Sequence, residues 1–369
     1  MDRNNQERSL TVIEGSDVSV EISASRYDDA LARAAIIADS FSEALNFQEY
    51  HLTCTENTLS RQQNDLALFS RYLQSAGITR HAQDLFHDAE AWRGMSYGLL
   101  RGMRQWMYEQ GYAIGSINVC LATLRQYCKL AGSAGALTQE TIDLILTVKG
   151  YNAKEARNVD RMRIKQGKAT RKGTKKDRPT TVKAGQAARL KRTSTPPPEG
   201  KQRRPHDQHL PERDAFLMCL FIEHGFRCGE VIHLNIEDID VDEGTIRVYR
   251  QKTDVWQVHR FQPQTLIAAE AYLSLDEMKE KTSGPLFVGY RGWRLGRRAT
   301  MERVRQLGRL SGVNTLSPHD LRHYWTQDAL RNGTSLDRVQ SAGNWTTPTM
   351  VLQYAKRTGI ANEDVKISP

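Results

Sequence analysis

No apolar run in the 369 residues reaches the length needed to cross a bilayer, and the first residues contain no apolar export core. Neither a membrane span nor a secretory leader is expected. Cysteine is scarce. The five thiols, Cys54, Cys120, Cys128, Cys219 and Cys228, are odd in number and no two have zinc-finger spacing. They read as reduced thiols in a cytosolic protein, which excludes a disulfide framework. Clustered carboxylates of the kind that hold two catalytic metal ions are missing too. His319-Asp320 spells a dipeptide found in metal phosphohydrolases, but the spaced histidine and aspartate partners do not accompany it. No metal and no cofactor are therefore expected. Internal repeats are also lacking.

Positive charge is present, and it is concentrated. Between Lys154 and Arg204 stand 18 Lys and Arg against four acidic residues, Glu155, Asp160, Asp177 and Glu199. That excess is larger than the net charge of +9 for the whole chain, so the remainder is net acidic. A run of this kind tracks phosphates and makes binding salt-dependent.

The length suggests two domains. Residues 1–42 read as an extension: Val18 to Ile22 alternates like a short strand, and Tyr27 to Leu45 has helical spacing, suiting an arm that touches a partner. Residues 43–150 read as a compact helical domain. Leu59, Leu66, Phe69 and Leu73 form one stripe stopped by Gly77, Tyr97–Tyr108 forms a second helix, and Ser116 is placed to cap a third. Residues 151–178 read as a polar, basic linker punctuated by Gly167, Gly173 and Pro179. Residues 179–369 read as the second domain. Its Ala215–Ile222 run suits a buried helix. Thr245–Arg250 and Val255–Phe261 alternate with period two around Lys252-Thr253-Asp254, which predicts a hairpin. The fold class expected is mainly α with a small antiparallel β-sheet.

Five residue types recur in the second domain in a telling order. Arg227 follows the glycine that ends the buried helix, in Gly225-Phe226-Arg227-Cys228-Gly229-Glu230-Val231, with Leu234-Asn235-Ile236-Glu237-Asp238-Ile239-Asp240 just after. Lys252 lies at the hairpin turn, with Arg250 as its nearest rival. Ser317 and Pro318 suit an N-cap and first helical position, which sets His319 and Arg322 on one helix face near a helix N-terminus. Trp345 precedes Tyr354 by nine residues. Two guanidiniums can hold the non-bridging oxygens of a phosphate at any working pH. A tyrosine supplies a nucleophile, and a lysine or histidine moves protons.

This order resembles the tyrosine recombinase (phage integrase) family over most of the chain, with tryptophan in place of the common histidine before the tyrosine, as in its Cre-like branch. The resemblance implies a helical core-binding (SAM-like) domain and a mixed α+β catalytic domain forming a clamp on double-stranded DNA. It implies catalytic roles for Arg227, Lys252, His319, Arg322, Trp345 and Tyr354, with Glu230 and His323 supporting them. Thr58, Arg61 and Arg125 resemble the positions that the core-binding helices lay against DNA, and Lys172, Lys175 and Lys176 belong to the basic linker. The implied working form is a homo-tetramer on two DNA sites, assisted by accessory DNA-bending proteins. The short tail after Tyr354 is expected to dock into a neighbouring subunit, and the protein is expected to be cytoplasmic and nucleoid-associated.

Overall fold

The computed structural model describes residues 27–172, 176, 179–192, 210–289 and 292–355. The expected strand at Val18–Ile22, Lys175, Pro196-Pro197-Pro198 and the tail after Ala355 lie outside the described residues. The chain divides into two compact units, Met1–Lys175 and Lys176–Pro369.

The first unit is helical. It comprises α1 (Tyr27–Thr53), α2 (Glu56–Ser75), α3 (Ala82–His87), α4 (Tyr97–Glu109), α5 (Ile114–Ser133), α6 (Gln139–Leu146) and α7 (Ala153–Lys165). Local chemistry sets the starts. Thr55, Ser96 and Thr138 each accept a backbone N–H of the first turn of α2, α4 and α6. The expected stripe of α2 is buried at Leu66, Phe69 and Leu73, and α5 buries Ile117, Leu121, Leu124 and Cys128 against it. Trp92 and Tyr127 stack at the centre of this core.

Three boundaries differ from the expectation. Helix α1 runs unbroken through the border drawn at residues 42 and 43, because neither glycine nor proline interrupts Tyr27–Thr53. Ser116 lies inside the first turn of α5, whose N-cap is Ala113. Residues Ala153–Lys165, read as linker, are a helix: the Asn152 side chain accepts from the N–H groups of Lys154 and Glu155, and Glu155 reaches back to the N–H of Asn152. Buried Arg163 fastens this helix, donating to the carbonyls of Tyr108 and Tyr112 at 2.9 Å each.

The second unit comprises α8 (Ala184–Lys191), α9 (Leu210–Glu223), α10 (Cys228–His233), β1 (Ile239–Asp240), β2 (Thr245–Arg250), β3 (Val255–Arg260), α11 (Pro263–Leu273), α12 (Arg297–Leu310), α13 (Pro318–Arg331), α14 (Leu336–Gly343) and α15 (Pro348–Ala355). The strands form an antiparallel sheet in the order β1-β2-β3, with Arg250 opposite Val255 beside the turn. Helix α9 is the hub: Phe216 to Phe221 are fully buried on every side, as an all-round apolar helix must be. A smaller cluster of Val339, Trp345, Val351 and Tyr354 packs α14 and α15 beneath α13. No helix of the described residues is long and apolar enough to cross a membrane.

Candidate active site

Arg227 is the N-cap of α10. Glu230, three residues on, accepts its backbone N–H at 2.7 Å and its guanidinium at 2.7 Å. The turn before it is sharp. Gly225 has φ 61°, and a Cβ there would overlap the Trp325 ring. The carbonyl of Gly225 accepts from Arg322 Nη1 at 2.6 Å, so one glycine shapes both arginine positions.

Helix α13 begins as the Ser317-Pro318 pair predicts. Asp320 at the third helical position accepts the N–H of Ser317 at 2.7 Å and its hydroxyl at 2.6 Å. It also accepts the N–H of Thr180 at 2.8 Å and Lys176 Nζ at 2.5 Å. His319 is exposed and lies 3.2 Å, Nε2 to Nε2, from His323. The His323 ring centroid is 4.3 Å from that of Tyr354, and Tyr354 is 5.3 Å from Trp345. The Arg322 guanidinium closes the sequence of groups, 4.1 Å from the Trp345 ring centre. Tyr354 itself is only 6% exposed.

Backbone carbonyls complete the cage. Three consecutive residues at the end of α14 each accept from a different arginine: Ala342 from Arg250 at 2.8 Å, Gly343 from Arg322 at 2.5 Å, and Asn344 from Arg227 at 3.3 Å. A helix C-terminus carries partial negative charge, so it is a suitable place to gather cations. Glu230 is the shared carboxylate, accepting Arg250 Nη1 at 2.6 Å as well as Arg227. Burial pushes Arg322 down to about 9, and the like charge of Arg227 adds to the effect. Arg227 keeps the more accessible side chain, 29% exposed.

Lys252 is exposed in the turn between β2 and β3. Its rival Arg250 is fully buried and spends its donors on Glu230, Gln257, His259 and Ala342, so it is a structural cation and not a mobile proton donor. Cys228, beside Arg227, is partly buried, and burial pushes its thiol up, which disfavours the reactive thiolate. Among the described residues no group of three or more His, Cys, Asp or Glu is arranged to hold a metal ion.

The remaining sequence-selected residues that are described have partners of their own. Thr58 shares its hydroxyl with Thr55 at 3.0 Å, and Arg61 is paired with Asp65 at 2.6 Å and donates to Thr123 at 3.0 Å. Arg125 donates to the carbonyls of Leu121 and Val148. Lys172 sits over the Tyr112 ring at 4.9 Å, and Lys176 is held by Asp320. Sequence reasoning missed Asp320, Asn344 and the carbonyl row. The Ser317-x-x-Asp320 spacing is a capping signal and the Asn before Trp345 suits a left-handed helix end, so two of the three had a trace in the sequence.

A family model described as the phage integrase family matches residues 202–359, which include every residue of the cage. The tyrosine recombinase XerC of Stutzerimonas stutzeri (strain A1501) is 32% identical over 134 residues, 36% of this chain and 44% of that protein. The XerC of Corynebacterium glutamicum is 28% identical over 249 residues, 67% of this chain and 77% of that protein. The chain spans about half the length of the first curated relatives that it matches. Among solved structures, a lambda integrase(75-356) dimer bound to a COC′ core site superposes with a TM-score of 0.56, covering 86% of this chain and 94% of that chain at 14% identity. A lambda integrase dimer bound to a COC′ core site gives 0.52, with 94% and 92% covered, again at 14% identity. These structures share the fold, and the family match falls on the unit that carries the cage. Over residues 202–359, the stretch that carries the cage, the chain is similar to the tyrosine recombinase (phage integrase) family.

Proposed function

We propose that this protein is a site-specific DNA recombinase that cuts and rejoins duplex DNA through a tyrosine ester. The observation that carries the reading is the convergence of Arg227, His319, Arg322, Trp345 and Tyr354 around one small cage, with an exposed lysine at its edge. The scissile phosphate would take the place of the carbonyls now held by Arg227 and Arg322, whose forks match its non-bridging oxygens. The phenol oxygen of Tyr354 would form the new bond to phosphorus. Its proton would pass to the His319–His323 pair, and the bond from phosphorus to the 5′ oxygen would break as Lys252 supplies that oxygen's proton. The product is a 3′-phosphotyrosine and a free 5′ hydroxyl. Because the ester is conserved, a second 5′ hydroxyl can reverse the step on a new partner strand without ATP.

Tyr354 is nearly covered in the free protein, so α15 would have to shift when DNA binds. Among the described residues its contacts run mainly to α13 and α14, so the shift would be made against those two helices. The whole enzyme would act as a tetramer on two DNA sites, in integration, excision or resolution of a mobile element, with accessory DNA-bending proteins as further partners. Thr58, Arg61, Arg125, Lys172, Lys175 and Lys176 remain proposed contacts to the DNA backbone. Arg61, Arg125 and Lys176 would have to exchange an internal partner for phosphate.

The test is a nicked suicide duplex carrying the target site. The expected result is a covalent protein–DNA adduct, abolished in Tyr354→Phe. Binding without any adduct in the unaltered protein would sink the reading and leave a non-catalytic DNA-binding regulator. Relaxation of supercoiled DNA that lacks a specific site would favour the alternative of the same chemistry, a type IB topoisomerase or a hairpin-forming telomere resolvase. Lys252→Ala should slow cleavage by two or more orders of magnitude, in the range typical of a lost general acid. A 5′-thio leaving group needs no such acid and should restore it.

A further inference from the structure

Asn344 occupies an unusual position in the cage. It ends α14 in the left-handed region, with φ 49° and ψ 61°. That conformation is uncommon for a side-chain-bearing residue and is tolerated best by asparagine. Its carbonyl accepts from Arg227, and its side-chain Nδ2 donates to Thr253 Oγ1 at 2.5 Å. Thr253 immediately follows Lys252. Its N–H and hydroxyl both return to the carbonyl of Arg250, at 3.0 and 3.4 Å, so the hydroxyl that receives Asn344 is itself fixed to the end of β2.

Two parallel ties hold the same pair of elements. Gln257 Nε2 donates to the carbonyl of Ser341 at 2.9 Å, and Arg250 to that of Ala342 at 2.8 Å. Both anchor the stem of the hairpin. The Asn344–Thr253 bond reaches beyond the stem to the turn that carries Lys252. Lysine is a long, flexible side chain, so its reach to one oxygen depends on where the backbone beneath it is held.

We propose that Asn344 is a positioning residue for proton delivery: through Thr253 it fixes the hairpin turn so that Lys252 reaches the leaving oxygen. The inference rests on the proposed recombinase chemistry and deepens it. Asn344 touches neither substrate nor reacting atom, and it acts through Lys252.

The experiment compares Asn344→Gly with the unaltered protein on two suicide duplexes, one with an ordinary 5′ oxygen and one with a 5′-thio leaving group. Glycine retains the left-handed backbone and removes only the amide. The expected result is a roughly tenfold or greater slowing on the oxygen substrate and a rate within about twofold of the unaltered protein on the thio substrate, as for a positioned general acid. Thr253→Val should reproduce this split. Thr253→Ser, which keeps the hydroxyl, should restore the oxygen rate, and the double variant should be no slower than either single one. Equal slowing on both substrates, or no slowing on either, would overturn the proposal. Lys252→Ala is run beside them. If its loss is rescued by sulfur while that of Asn344→Gly is not, the positioning role fails and the general acid stands. If neither is rescued, the assignment of Lys252 itself fails. Should Asn344→Gly melt too early to assay, the Thr253 pair decides the matter alone.

Discussion

At the scale of single residues, the cage depends on which groups stay neutral. Arg250 Nη2 lies 2.9 Å from His259 Nε2. A guanidinium only donates, so this ring nitrogen is the acceptor and the ring is uncharged. Loss of hydration pushes His259 down to about 3, with the charge of Arg250 next in importance, and burial pushes the neighbouring His224 down to about 4. Both values lie below the ordinary histidine value of about 6.5. The unfolded chain therefore takes up protons first as the medium is acidified. The stability contributed by these neutral rings is complete above pH ~6.5 and is lost as pH falls from there towards the folded values. A melting series from pH 7.5 to 4 should show a decline in that window, and His259→Gln should make it shallower, leaving the part due to His224. A decline of equal slope in that variant would assign the effect to other groups.

At the scale of elements, α14 sets the register of the cage. Gly343 is where the Trp345 ring lies, so a Cβ there would overlap the indole. Gly343→Ala should cost about 1–3 kcal/mol, the usual range for forced overpacking, and should weaken cleavage through the displaced Trp345 and Arg322. Thermal melting and the suicide-duplex assay check the two effects separately. Much at this scale was legible. The Ser317-Pro318 start of α13, the buried run of α9 and the period-two hairpin all have side-chain signals, and each has its expected type. The gaps have physical reasons. Helix α7 was hidden because its polar, basic composition outweighed the Asn152–Glu155 capping pair. Strand β1 is two residues long, too short for any alternation. The row of carbonyls that orders the arginines could not be read at all, since every residue has a carbonyl and only the fold aims it. Sequence order pointed to the side chains proposed to act, but it could not show that Glu230 and the end of α14 hold three cations together.

At the scale of the whole molecule, the described residues of the basic run include charges of contrasting kinds. Arg163 is buried and serves the helical unit, so it is unavailable to a phosphate. Lys168 and Lys172 sit over the rings of Tyr108 and Tyr112 with their charge still accessible to solvent. Replacing both with alanine should weaken binding to specific and unrelated duplexes alike. It should lower the slope of log affinity against log salt by about 0.9 for each phosphate that is no longer neutralised. Fluorescence anisotropy across a salt series reads this directly, and an unchanged slope would remove these lysines from the interface. The same contrast bears on the three carbonyls at the end of α14. On the proposed chemistry, those of Gly343 and Asn344 would act as stand-ins for an anion, keeping the long, supple side chains of Arg322 and Arg227 in formation before any guest arrives. The entropy of ordering those arginines is thus given up once, when the chain folds, and need not be given up again at each encounter with DNA.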